Sequence, residues 1–213
     1  MENIIIIVLL CIEKVGAQDI DTIEFSKKYY NMKSKFESLP NRKNEIIFLG
    51  NSITEQWSWC ERFNNNRIIN RGISGDRTDG VLYRLNEITS SKPKKIFLLI
   101  DVNDVRYKRS VDYIIGKNHQ IVEIIKKESP KTKIYLQSIL PTYARKERPI
   151  DTIRAINQGL EKIAQQENII YIDLFSHFID STGYLDKKYS LDGLHLNGVG
   201  YQNWKDVIKH LVR

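Results

Sequence analysis

Five short apolar runs stand out along the chain: Ile46–Leu49, Arg67–Asn70, Lys95–Ile100, Lys133–Gln137 and Ile169–Ile172. They are rich in β-branched residues and show no clear alternation of apolar and polar positions, the pattern of strands covered on both faces. Between them the period changes. In Thr78–Thr89 the residues Val81, Leu82, Leu85 and Ile88 fall on one helical stripe. In Val111–Glu128 Ile114, Ile115, Ile121, Val122, Ile124 and Ile125 do the same, before Ser129-Pro130 stops the helix. Thr152–Gln166 carries Ile153, Ile156, Leu160 and Ile163, Val199–Val212 closes the chain, and Ile20–Leu39 precedes the first strand. Strands alternating with helices predict an α/β fold, a parallel sheet between two helical layers joined by right-handed crossovers. In such a sheet, functional groups collect just past the carboxyl ends of the strands.

Composition narrows the class without naming a chemistry. A chain of 213 residues, 41% hydrophobic and 28% charged, fits one domain with an ordinary core. The net charge of +7 is spread along the whole sequence. With no basic stripe or aromatic–basic module, a solvated basic surface is expected rather than a nucleic-acid site. Mean hydropathy is −0.39, against an integral membrane protein. Residues 3–12 form an apolar run too short to span a bilayer, and small residues near Ala17 and Gln18 offer a cleavage site. Residues 1–18 are therefore expected to be an export signal, atypical in carrying Glu2 and no Lys or Arg ahead of the run. Residues 19–213 would form the single domain, periplasmic or secreted, and cytoplasmic if the leader is retained. No stable membrane insertion is expected after leader removal. Cys60 would then be the sole cysteine, expected as core filler. His119, His177, His195 and His210 show no metal-ligand spacing, so no metal or other cofactor is expected.

The unusual residues do cluster after the predicted strands. Gly50-Asn51-Ser52-Ile53-Thr54 follows the first, where a Ser at a strand-to-helix turn can present its hydroxyl above the sheet. Taken alone, Ser52 reads more readily as a helix cap. Arg71-Gly72-Ile73-Ser74-Gly75-Asp76 follows the second, and its glycines permit a turn that exposes a backbone N–H to a developing oxyanion. Asp101-Val102-Asn103-Asp104 follows the third and offers a side-chain amide as a further donor. Near the C-terminus Asp192-Gly193-Leu194-His195 places a carboxylate three residues before an imidazole. Such an acid can hold Nδ1–H while Nε2 accepts a serine proton. Each fragment alone has a structural explanation as a turn or a cap. Together, at one edge of one sheet, they form a usable set of roles.

These four blocks, in this order, resemble those of the SGNH hydrolase superfamily, the GDSL-type lipases and esterases, over about residues 45–210. Gly50-Asn51-Ser52-Ile53 is similar to the nucleophile block, with Asn51 where many members have Asp. The resemblance implies a three-layer α/β/α sandwich with a five-stranded parallel sheet in flavodoxin-like order. It implies a catalytic triad of Ser52, His195 and Asp192, and an oxyanion hole made by the N–H groups of Ser52 and Gly75 and the amide of Asn103. It also implies two-step acyl transfer without a cofactor. Within the superfamily the chain looks most like the platelet-activating-factor acetylhydrolase-like and bacterial carbohydrate O-acetylesterase branch. The expected activity is therefore release of short acyl groups, acetyl above all, from a small-molecule or oligosaccharide ester. A lysophospholipase- or thioesterase-type acylhydrolase is the alternative.

One position departs from the family pattern, which has Gly where this chain has Asp101. A carboxylate about 5 Å from the oxyanion would repel it by roughly 3 kcal/mol at an effective dielectric of about 20, cancelling about one oxyanion donor. Either the loop turns Asp101 away, or catalysis is slow or lost. The second outcome leaves a catalytically silent carbohydrate-binding protein. Asp101, Tyr143 and Arg145 are taken as candidate substrate-binding residues. The Thr142–Pro149 loop follows the fourth strand, where its basic residues Arg145, Lys146 and Arg148 are placed to meet an anionic sugar or, as the readier reading, to be solvated. Trp57 and Trp59 are placed to stack on a sugar or to pack in the core, and Trp204 reads as core. A flavodoxin-like nucleotide or flavin binder would use the Gly50–Thr54 loop as a phosphate cradle, but it leaves Asp192 and His195 without a task.

Overall fold

A computed structural model describes residues 24–213, so the expected export signal at 1–18 lies outside the described residues. In chain order the elements are α1 (Lys27–Glu37), β1 (Ile46–Gly50), α2 (Ser52–Glu55), α3 (Trp59–Phe63), β2 (Ile68–Gly72), α4 (Thr78–Tyr83), α5 (Leu85–Ser90) and β3 (Lys95–Leu99). There follow α6 (Val102–Arg106), α7 (Val111–Glu128), β4 (Lys133–Gln137), α8 (Ile150–Gln166), β5 (Ile170–Ile172) and α9 (Gly198–Ile208). The five strands are all parallel, in the order β2-β1-β3-β4-β5. This is the flavodoxin-like order anticipated above.

The sheet forms because its inner strands hide both faces. Every residue of β1 and β3 is buried, whereas the edge strand β5 is exposed at Ile170. Phe48, Phe97 and Tyr135 are register neighbours on β1, β3 and β4, with ring centroids 4.9 and 4.4 Å apart. Trp59 stacks on Phe48 at 4.2 Å and meets Trp204 of α9 edge-on at 4.7 Å. One helical layer is thereby fixed by a continuous aromatic stack, each ring adding large apolar burial. On the helices, most of each stripe read from the sequence is buried: Ile114, Ile121, Val122 and Ile125 on α7, where Ile115 and Ile124 are half-buried, and Ile153, Ile156, Leu160 and Ile163 on α8.

Two expectations need correction. The single helix over Thr78–Thr89 is two helices broken at Arg84, whose φ/ψ of −110°/9° is not helical. The cause is a buried side chain. The Arg84 guanidinium donates to Asp76 Oδ2 at 2.9–3.0 Å, to the Arg71 carbonyl at 2.9 Å and to the Gly50 carbonyl at 3.3 Å. Reaching all three costs the backbone its helical turn. Cys60 is exposed rather than core filler, because α3 turns Trp59 inward.

Candidate active site

The nucleophile block forms a strand-to-helix turn. Gly50 ends β1 where a Cβ would lie 2.2 Å from the Leu99 carbonyl oxygen, so the turn tolerates no side chain there. Asn51, not Ser52, is the cap of α2: its Oδ1 accepts from Ile53 N at 3.0 Å. Ser52 is therefore the first helical residue, its hydroxyl is spared capping, and its N–H has no acceptor within that helix. The short helix is anchored at its carbonyls. Tyr201 donates to Ile53 O at 2.7 Å, Trp59 Nε1 to Thr54 O at 2.9 Å, and Asn70 Nδ2 to Thr54 O and Glu55 O at 3.0 and 3.1 Å.

Ser52 Oγ lies 3.0 Å from His195 Nε2, and His195 Nδ1 lies 2.8 Å from Asp192 Oδ2. The other carboxylate oxygen, Oδ1, accepts from the backbone N–H of Leu194 and His195 at 2.9 and 2.8 Å. Partial burial pushes the Asp192 carboxyl up. The hydrogen bonds from His195 and the two N–H groups pull it down further, leaving it well below the usual carboxylate range. Asp192 is thus a fixed anion, and with Nδ1–H facing it the Nε2 lone pair points at the serine hydroxyl. This arrangement can take a proton from Ser52 and hold the resulting imidazolium. The loop is braced by Ser190, whose Oγ donates to His195 O at 2.7 Å and accepts from Gly193 N at 2.9 Å.

The second and third blocks meet beside it. Gly75 has φ +81°, the left-handed conformation expected of a turn that exposes an N–H. Its loop is fastened by Ile73 N to Gly50 O at 3.0 Å and by Glu55, which accepts from Ser74 N at 2.7 Å. Asn103 is buried and its Nδ2 donates to Asp76 O at 2.9 Å, leaving one amide hydrogen uncommitted by that bond. Asp104 holds the start of α4 through Thr78 Oγ1 and N, at 2.8 and 3.1 Å, and burial pushes its carboxyl up to about 6 against those hydrogen bonds.

Asp101 is not a substrate-binding residue. It is 1% exposed and its carboxyl turns inward, accepting from Asn118 Nδ2 of α7 at 2.7 Å. Of the two possibilities posed by the sequence, the structure has the first. Asp101 also has φ +90°, a backbone that suits glycine. Burial, reinforced by Asp104, raises its pKa well above the carboxylate range despite the bond from Asn118. Asn118 Nδ2 spends its hydrogens on Asp101 and on Ile114 O at 2.9 Å, while Asn118 Oδ1 is buried with no donor among the described residues. Burial thus works against the charge that would repel an oxyanion.

Tyr143 and Arg145 do sit at the site. Arg145 Nη2 lies 3.2 Å from Asp192 Oδ2, and Tyr143 N donates to Gly193 O at 2.9 Å. Both border a cavity of about 400 Å³ shared with Arg148, Ile150, Asp151 and Tyr184. Trp57 and Trp59 face elsewhere: Trp59 is 1% exposed in the aromatic stack, and Trp57 stacks on Tyr201 at 4.3 Å beneath Arg62. Arg148 is legible in the sequence only as one basic residue of a loop more readily read as solvated. It is 3% exposed and reaches back to α6. No periodicity or short motif marks it, because its partners lie some 45 residues away in sequence.

Residues 48–202 match the family model described as GDSL-like lipase/acylhydrolase. The chain is 29% identical over 169 residues to platelet-activating factor acetylhydrolase IB subunit alpha2 of Rattus norvegicus, covering 76% of this chain and 72% of the relative. It is similar in structure to a protein of Streptococcus pneumonia described as a platelet activating factor. That match has a TM-score of 0.79 and 28% identity, over 88% of this chain and 94% of the other. An acetyl-xylooligosaccharide esterase variant from Geobacillus Stearmophilus shares the fold, with a TM-score of 0.68 at 16% identity over 81% of this chain and 95% of that one. With the family model spanning most of the sheet and its loops, this chain belongs to the GDSL-like lipase/acylhydrolase family and is a hydrolase of the esterase kind.

Proposed function

We propose that the protein removes acetyl and other short acyl groups from esters, carbohydrate O-acetyl groups first among them, with Ser52 as nucleophile. The observation that carries this reading is the hydrogen-bonded line from Ser52 Oγ through His195 to Asp192, at 3.0 and 2.8 Å. Ser52 attacks the ester carbonyl while His195 Nε2 takes its proton. The N–H groups of Ser52 and Gly75 and the Asn103 amide hold the oxyanion, each donor worth about 2.7–4 kcal/mol in the transition state. His195 then protonates the leaving alcohol, and a water activated by the same imidazole releases the acid.

Acetyl is favoured because it is the acyl group in the names of both the rat relative and the Geobacillus fold neighbour. Those names part over what carries the acetyl group, a lipid mediator in one and a xylooligosaccharide in the other. The rat match therefore supports a phospholipid carrier as a second reading. Tyr143 and Tyr184, both exposed on the cavity that Arg145 also borders, support the sugar.

Hydrolysis of p-nitrophenyl acetate, butyrate and octanoate, with Ser52→Ala and His195→Ala as controls, tests the chemistry. Acetate turnover that disappears in both variants is expected. Equal slow rates in all three proteins would refute the mechanism. Acetylated xylooligosaccharides run against a 2-acetyl phospholipid then separate the two carriers.

A further inference from the structure

We infer that Arg148 is a positioning residue of the oxyanion hole, holding the Asn103 amide in the one orientation that aims its N–H at the reacting carbonyl. The inference rests on the reading of Asn103 as an oxyanion donor. Asn103 sits on α6 with its carboxamide between two partners. Nδ2 donates to the Asp76 carbonyl at 2.9 Å, and Oδ1 faces Arg148 Nη2 at 3.5 Å. Either contact alone would leave the side chain free to rock about its terminal torsion, which is broad for Asn. With both, the oxygen end is committed to a cation and the nitrogen end to a carbonyl, and a flipped amide would set O against O and N–H against N–H. The remaining Nδ2 hydrogen then has a fixed direction.

Arg148 is built for this rather than drawn there by chance. Its backbone is set by Arg148 N to Arg145 O at 2.9 Å and by Thr142 Oγ1 to Arg148 O at 3.2 Å, just before Pro149 opens α8. From there the side chain crosses to α6, where Nε donates to Val102 O at 3.1 Å. Nη1 pairs with Glu147 at the surface, so the guanidinium is held on three sides while 3% exposed. A planar fork gripping adjacent residues of α6 fixes both the helix end and the amide, a geometry that a Lys point charge cannot reproduce. The same loop sends Arg145 to Asp192. One segment after β4 thus touches both the proton-transfer side and the oxyanion side of the site.

The test is a double-mutant cycle between Arg148→Met and Asn103→Ala, read as kcat and KM for p-nitrophenyl acetate, with thermal unfolding on each protein. Arg148→Met is expected to lower kcat about tenfold to hundredfold with KM within about twofold, and the double variant to be no slower than Asn103→Ala, because both remove one donor. Arg148→Gln, which keeps one N–H for Asn103, is expected to fall between wild type and Arg148→Met. It also serves as the folded variant should Arg148→Met unfold. Wild-type kcat in a folded Arg148 variant would overturn the inference. So would costs of the two substitutions that simply add, which would leave Arg148 a stabilising residue. Full activity in Ser52→Ala would instead sink the reading of the whole site.

Discussion

At the scale of single residues, Asp192 Oδ2 meets His195 Nδ1 at 2.8 Å within one short loop. Asp192 and His195 share one loop, and an acid three residues from its imidazole can be read off the chain. Arg148, Asn118 and Arg84 were not legible, because each acts on at least one partner distant in sequence and carries no motif. Asp101 was legible as a departure but not in its meaning. Its left-handed backbone costs roughly 1–2 kcal/mol, and Asp101→Gly removes that strain while leaving the Asn118 amide without its partner, a loss of about 1–3 kcal/mol. The single variant is expected to be neutral to mildly destabilised with esterase activity retained. Asp101→Gly with Asn118→Leu should be at least as stable as wild type, measured by urea unfolding. Gly193 offers a sharper contrast, with φ +76° and a Cβ position 2.0 Å from the Tyr143 carbonyl oxygen. Gly193→Ala should push the acid loop off the Tyr143 segment and lower kcat by more than tenfold, whereas Gly198→Ala, where a Cβ meets open space, should not.

At the scale of elements, the strands and long helices were readable because burial on two faces, or on one stripe, writes itself into the sequence as a period. The break between α4 and α5 was not, since the apolar stripe of Val81, Leu85 and Ile88 continues through it. What interrupts the helix is an ion pair with Asp76, with side chains only 1% and 0% exposed. Removing one partner of such a pair costs about 3–5 kcal/mol, and here Arg84 also satisfies carbonyls at the ends of β1 and β2. Arg84→Ala is therefore expected to lower Tm by about 10 °C or more. Replacing Arg71, whose Nε pairs with Glu87 at 2.7 Å but which grips no strand-end carbonyl through its side chain, should cost less. Differential scanning calorimetry of the two variants settles the order.

At the scale of the whole molecule, buried acids set the response to pH. Asp101 and Asp104 hold their protons more tightly in the folded chain than in the unfolded one, through burial first. Their contribution to stability is full below the unfolded value of about 3.9 and is lost as pH rises through the folded values. For Asp104 that window ends at about 6. Asp192 acts in the opposite sense: its lowered pKa adds stability above the unfolded value, lost as pH falls. Unfolding free energy is thus expected to decline from mildly acidic to alkaline pH. Asp101→Asn, which removes the titrating group, should shrink the difference between pH 5 and pH 8. An unchanged difference would show that Asp101 does not titrate on folding. The Asp101–Asn118 contact has a consequence for lineage as well. Asn118 Nδ2 keeps the Ile114 carbonyl without the acid, but the buried Asp101 carboxyl accepts from that amide, and Asn118 Oδ1 has no donor among the described residues. The two positions are therefore expected to vary together: relatives with glycine at the first should carry an apolar residue at the second more often than an amide.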